Sequence, residues 1–243
     1  MTHLKQQTAI SFKKLAVFAF CIILAVVVVL GIVISKSLGG KKYYFASGAT
    51  FYCYYTEETT AQNAESATYY QKKSGGAGFN YSLGAKTYIC AFLYKTKEEA
   101  ERIKQTNIIS YAQGGIIELK TTPLSSRAQK IVKNNEAYIS LIHFFEDAFG
   151  ECYNLAVMLD NQTITESKLL TKVLLMLEKA NEINAKFEIT DPLCASIELL
   201  CFEMKDYMAK TNGKIERSSG IKLLCFKIVE LCNACAEILN NRN

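Results

Sequence analysis

Two groups of side chains in this 243-residue chain have spacing that could do chemistry. Cys232-Asn-Ala-Cys235 has the C-x-x-C spacing of a dithiol redox pair or half of a metal site. Redox thiols gain reactivity at a helix N-terminus, however, and this pair falls near the end of a predicted helix with both sulfurs on its apolar seam. Core packing is the expected role. His143 and Asp147, one helical turn apart and next to Glu146, offer two metal ligands on one helix, which is too few without partners. The chain has two histidines in all, with no nucleophile elbow, Gly-rich phosphate loop or H-E-x-x-H motif. The expectation is a protein that is not an enzyme, with no catalytic residue, no metal and no cofactor. A thiol-based enzyme using Cys232 and Cys235 stands as a third, weaker alternative.

The elements that position these residues begin with LAVFAFCIILAVVVVLGIVI, residues 15–34, an apolar run with no charge between Lys14 and Lys36. At about 1.5 Å per residue it reaches roughly 30 Å, a bilayer's hydrocarbon thickness. The segment 15–35 is predicted to be a transmembrane helix after a cytoplasmic tail at 1–14, with a linker at 36–48. The basic residues balance on the two sides, so orientation rests on the short tail without acidic residues. Residues 36–243 are expected outside the cytoplasm, in a single-pass protein of the cell membrane. Of the 28 Lys and Arg, Lys5, Lys13 and Lys14 lie in the tail, and all 23 acidic residues follow the apolar run, which leaves the rest of the chain at net +2. That balance gives no field for gathering nucleic acid, and none is expected as a partner.

Composition divides the remainder. Up to Leu119 it is rich in Tyr, Gly and Thr; beyond Pro123, Leu, Ile, Glu, Lys and Cys recur at helical spacing. The break at Lys120-Thr-Thr-Pro-Leu-Ser-Ser126 is a turn-type linker. Residues 49–120 read as β-α-β-β-α-β: a strand over Ala49–Tyr55, a helix from about Thr56 to Tyr70, strands at Phe79–Leu83 and Thr87–Tyr94, a helix opened by Thr96 and Glu99, and a strand at Gly115–Leu119. That order is the ferredoxin-like split unit, with helices on one face of a four-stranded antiparallel sheet. Residues 126–243 carry four amphipathic seams, from Ile131 to Leu159 with a break expected at Gly150, Leu169 to Phe187, Leu193 to Tyr207, and Ile221 to Leu239. Thr163-Ile-Thr-Glu166 reads as a capping box, Asp191-Pro192 as a helix start, and Asn212-Gly213 and Ser218-Ser-Gly220 as boundaries. An up-down helical bundle is the economical arrangement. The predicted fold class is therefore α+β: a transmembrane helix, a βαββαβ sheet domain and a C-terminal bundle.

The sequence Tyr88-Ile-Cys-Ala-Phe-Leu-Tyr94 followed by Lys95-Thr-Lys-Glu-Glu-Ala-Glu-Arg, with Asn63-Ala-Glu65 and the glycine turn before Phe79, resembles the SPOR (sporulation-related repeat) domain of bacterial cell-wall proteins. The likeness covers residues 43–120. It departs at Tyr52 and Tyr54, where the family carries Gln and Gly, and at Phe92, where it carries Gly. The resemblance implies binding of peptidoglycan glycan strands on the sheet face that the helices leave open, in division or sporulation. Strand alternation puts Phe51, Cys53 and Tyr55 on one side and leaves Tyr52, Tyr54, Tyr88 and Phe92 on the other as candidate glycan-binding residues. Their rings could stack on sugar faces. The expected partners are then peptidoglycan, the lipid bilayer through residues 15–35, and a protein partner on the bundle. The alternative is a membrane-tethered scaffold whose bundle covers the aromatic face and recruits that protein partner.

Overall fold

In the computed structural model, residues 45–106 and 114–242 are described. The sheet is made from β1 (Thr50–Thr59), β2 (Phe79–Leu83), β3 (Lys86–Tyr94) and β4 (Gly115–Lys120), all antiparallel in the order β2-β3-β1-β4. Helix α1 (Ala64–Lys73) connects β1 to β2, and α2 (Lys97–Thr106) connects β3 to β4. Ala64 and Ala67 of α1 pack on Ile89 of β3, so small side chains let this helix lie close to the sheet. Thr96 caps the start of α2, its Oγ1 accepting from the Glu99 N–H at 3.2 Å. The β1–β3 ladder shifts register twice, between Tyr54 and Tyr55 and between Tyr55 and Glu57. Such bulges sharpen twist and re-aim side chains.

A short helix, α3 (Ser126–Lys133), leads into α4 (Glu136–Asp160), α5 (Glu166–Asn184), α6 (Pro192–Lys210) and α7 (Lys214–Asn240). Helix α7 lies against α4 and α6, α5 lies against α6 and α4, and the four form a bundle. Each start has a physical cause. Asn135 accepts from the Ala137 and Tyr138 N–H groups, Thr165 from Lys168, and Asp191 from Leu193 ahead of Pro192. Gly150 lies within α4 and does not break it; the break falls at Asn134-Asn135. Gly220 lies within α7, where a Cβ would stand 2.6 Å from the Tyr207 ring, so its absence permits α6 and α7 to meet closely.

Helix α7 is buried on more than one stripe, through Leu224, Cys225, Phe226, Ile228, Val229 and their neighbours, because it faces α4, α6 and the sheet layer at once. The ring of Phe226 stacks on Phe79 of β2 with centroids 4.4 Å apart and planes at 13°, and Phe51 of β1 meets Phe149 of α4 at 4.7 Å. One continuous core therefore runs from the sheet into the bundle.

The fold is mixed α+β, and among the described residues no helix is long and apolar enough to cross a membrane. The long helices carry charge on successive turns, such as Glu146, Asp147 and Glu151 in α4 and Lys222, Lys227 and Glu230 in α7, which the bilayer core would not tolerate. The fold class with a transmembrane helix, and the single-pass placement of 36–243 outside the cytoplasm, have no spanning helix among these residues to rest on. The segment 15–35 lies outside the described residues.

Candidate functional site

The four ring residues expected on one open face take different positions. Tyr54 is 5% exposed and Phe92 6% exposed, and they stand opposite each other on β1 and β3. Tyr52, half-buried, faces Tyr94 across the same ladder. Tyr88 is separated from them by the register shifts: it lies opposite Glu58, and its ring meets Tyr55 edge-on at 4.8 Å. Simple alternation puts Tyr55 and Tyr88 on opposite faces; the bulges bring them together.

Bundle side chains cover Phe92. Its ring is stacked on Tyr153 of α4, with centroids 5.3 Å apart and planes at 15°, and the Lys222 ammonium of α7 lies 5.8 Å from its centroid. The Tyr153 hydroxyl donates to Glu99 of α2 at 3.2 Å, so sheet, crossover helix and bundle meet at this point. Burial pushes the Tyr153 phenol up, with the Glu99 carboxylate acting in the same direction.

Beside Phe92 a cleft of about 630 Å³ opens between the sheet, the Ser74-Gly75-Gly76 turn and the first two turns of α7. Tyr54 and Phe92 contribute to its lining, while Tyr52 and Tyr88 do not. A polar clasp closes one wall. The Gly75 carbonyl accepts from Lys222 Nζ at 2.9 Å and from the Ser218 hydroxyl at 3.2 Å, and Asp160 accepts from the same two groups at 2.7 and 2.6 Å. The Ser218 hydroxyl has one proton and serves one acceptor at a time. Deeper in, Thr56 donates to the Gln71 side-chain oxygen at 2.5 Å. Burial is the main cause that raises the Tyr94 phenol far above its ordinary value, followed by Tyr153, so its hydroxyl remains a donor.

The other candidates sit elsewhere. Cys232 and Cys235 are 8% and 4% exposed, in the core near the end of α7. Desolvation pushes the Cys235 thiol up to about 12, and burial followed by Cys235 raises Cys232 well above its ordinary value. Both are protonated at neutral pH and poor nucleophiles. A thiol alkylating reagent is expected to leave both unlabelled in the native protein and to modify both once denaturant is added, read by mass spectrometry; rapid native labelling would reinstate a reactive pair. Asp147 pairs with Lys179 at 3.2 Å, and His143 is half-buried on α4. Among the described residues no three His, Cys, Asp or Glu side chains gather as metal ligands would.

Gln71, Gly75, Asp160, Ser218 and Lys222 were not legible as a group. They come from three separate stretches of the chain, and the local signal, Ser74-Gly-Gly-Ala-Gly78, reads as a helix stop. No protein-family model, curated protein or solved structure matches the chain.

Proposed function

We propose that this protein is a non-enzymatic scaffold in which the sheet layer and the bundle act as one body, and in which the bundle's outer surface recruits a protein partner. The observation that carries this reading is the stacking of Phe92 on Tyr153, supported by the Phe79–Phe226 stack. Rings sandwiched in this way have no free face for a sugar. The bundle still presents large apolar side chains outward, with Phe202 61% and Leu199 48% exposed one turn apart on α6.

Glycan-strand binding is the second reading, favoured by Tyr52 and Tyr88, which remain half-buried. Incubation of the full chain with purified peptidoglycan sacculi separates the two. The scaffold reading expects no retention above a control protein, and no change in a Tyr52→Ala, Tyr88→Ala double variant. Retention that falls severalfold in the double variant would replace the scaffold with glycan recognition.

A further inference from the structure

We infer that Asn212-Gly213, in the connection between α6 and α7, is a site of spontaneous covalent modification. The Gly213 backbone nitrogen attacks the Asn212 side-chain amide, and the folded chain ages to isoaspartate at residue 212. The product loosens the start of α7.

The reaction needs an attacking nitrogen that is unhindered, free of an acceptor, and outside a helical ladder. Asn212-Gly213 is the single Asn-Gly dipeptide in the sequence, and every other asparagine with a residue after it is followed by one that carries a Cβ. Glycine leaves its own nitrogen the least obstructed.

The fold leaves the reacting atoms exposed as well. Helix α6 ends at Lys210 and α7 begins at Lys214, so both residues lie in the link between them, and both are exposed. The flanks are held: the Asn212 N–H donates to Glu216 at 3.0 Å, and the Gly213 carbonyl accepts from the Arg217 N–H at 3.1 Å. Between those anchors, neither the Gly213 N–H nor the Asn212 side-chain amide has a hydrogen-bond partner among the described residues. No atom stands within 4 Å of the place a Gly213 Cβ would take, so the approach is open.

The steps balance with water as the sole co-reactant. A bond forms between Gly213 N and Asn212 Cγ, the Cγ–Nδ2 bond breaks, and the amide nitrogen leaves as ammonia with the Gly213 proton. Water then opens the five-membered imide at the Asn212 main-chain carbonyl to give isoaspartate, or at Cγ to give aspartate. Ring closure is intramolecular, which gives this nitrogen its advantage over an external nucleophile.

Isoaspartate adds one carbon to the main chain and one negative charge ahead of α7. Both anchoring bonds, Asn212 to Glu216 and Arg217 to Gly213, lie across or beside the lengthened link. Further along the same helix, Ser218 and Lys222 hold the Gly75 carbonyl at 3.2 and 2.9 Å, so a displaced α7 start pulls on the contact with the sheet layer. This inference does not rest on the scaffold reading, because it concerns a bond within the chain and no partner.

The test incubates the full chain in mildly alkaline buffer, native and in denaturant, and follows the peptide carrying residue 212 by mass spectrometry. Isoaspartate is read by enzymatic methylation. A gain of about one mass unit is expected at Asn212, about tenfold faster than at any other asparagine, because ring closure there meets no Cβ. Native and denatured rates should be of the same order. Gly213 stands at φ +81°, where a Cβ is strained, so the variants change Asn212 alone. Asn212→Gln keeps the amide but must close a larger ring, and should lose the reaction. Hydrogen exchange over residues 214–222 should quicken in the aged parent and stay at the fresh parent's rate in Asn212→Asp, which has the charge without the added carbon. The inference is overturned if Asn212 stays intact while other asparagines react, if folding slows its reaction about tenfold or more, if Asn212→Gln reacts at the parent's rate, or if the aged parent exchanges like the fresh one.

Discussion

Phe226→Ala is expected to lower the unfolding free energy by about 3–5 kcal/mol and to loosen the sheet and the bundle in a single transition. Phe226 is 1% exposed, and its ring stacks on Phe79, which projects from the strand at the sheet's edge. Truncation removes dispersion contacts on both sides of the layer boundary and leaves a cavity that neither layer can collapse into alone. For a domain of this size the loss lowers the melting temperature by about 10 °C. The readout is a pair of thermal melts: far-UV circular dichroism, dominated by the helices, and near-UV signal, in which the sheet layer's tyrosines contribute strongly. Coincident midpoints in both parent and variant are expected. If the near-UV signal melted first while helicity persisted, the two layers would have separate cores and the single-body reading would fail. A Phe79→Ala, Phe226→Ala cycle adds a finer check, with a coupling of about 1 kcal/mol expected for stacked rings.

Periodicity made most individual elements legible, and pairing made the rest illegible. Strand alternation located β2 and β3, and apolar spacing located α5 and α6, because side chains that point to one face must be apolar wherever that face is buried. The β1 strand continues to Thr59, four residues beyond its sequence-based end, because Glu57, Glu58 and Thr59 find ladder partners in Ile89, Tyr88 and Thr87. A polar run reads as a helix until its neighbours are known. The capping box at Thr163 was displaced: Thr165 takes the cap, while Thr163 donates back to the Met158 carbonyl. Gly150 and Gly220 looked like breaks, but a helix interior tolerates a glycine at about 1 kcal/mol when the flanking residues are buried, as Phe149 and Cys152 are. Of the site, Tyr54 and Phe92 were legible as aromatic positions on β-prone segments. The covering of Phe92 by Tyr153 and Lys222 was not, because it depends on how the bundle is placed on the sheet. The bulges that move Tyr88 beside Tyr55 are a property of the ladder and leave no mark on either strand alone.

Raising the pH from 9 to about 11 is expected to unfold the protein cooperatively. Cys53, Cys152, Cys225, Cys232 and Cys235 are each at most 8% exposed and all are free thiols. Burial pushes Cys152 and Cys235 up to about 12, and raises Cys53, Cys225 and Cys232 well above their ordinary value of 9.0. In the unfolded chain these thiols ionise at their ordinary value while the folded state keeps its protons. Above pH 9 the unfolded state therefore binds fewer protons, and stability falls with rising pH until the folded thiols themselves ionise. Each thiol contributes about 1.4 kcal/mol per pH unit in that window, so five contribute about 7 kcal/mol per unit against a total stability of about 5–15 kcal/mol. Denaturant melts at stepped pH should show the midpoint constant up to about pH 8.5 and then falling steeply, with thiol labelling appearing at the same pH. A midpoint that stays level to pH 11 would mean the thiols are not buried as described. Lysine deprotonation adds little to this slope: its midpoint is higher, near pH 10.4, and most of the lysine ion pairs are exposed, as at Lys120–Glu118 and Lys179–Asp147, where each contributes little. Cys152→Ala discriminates further. It lowers stability at pH 7 by leaving a small void, yet its stability declines less steeply above pH 9 by about one thiol's share.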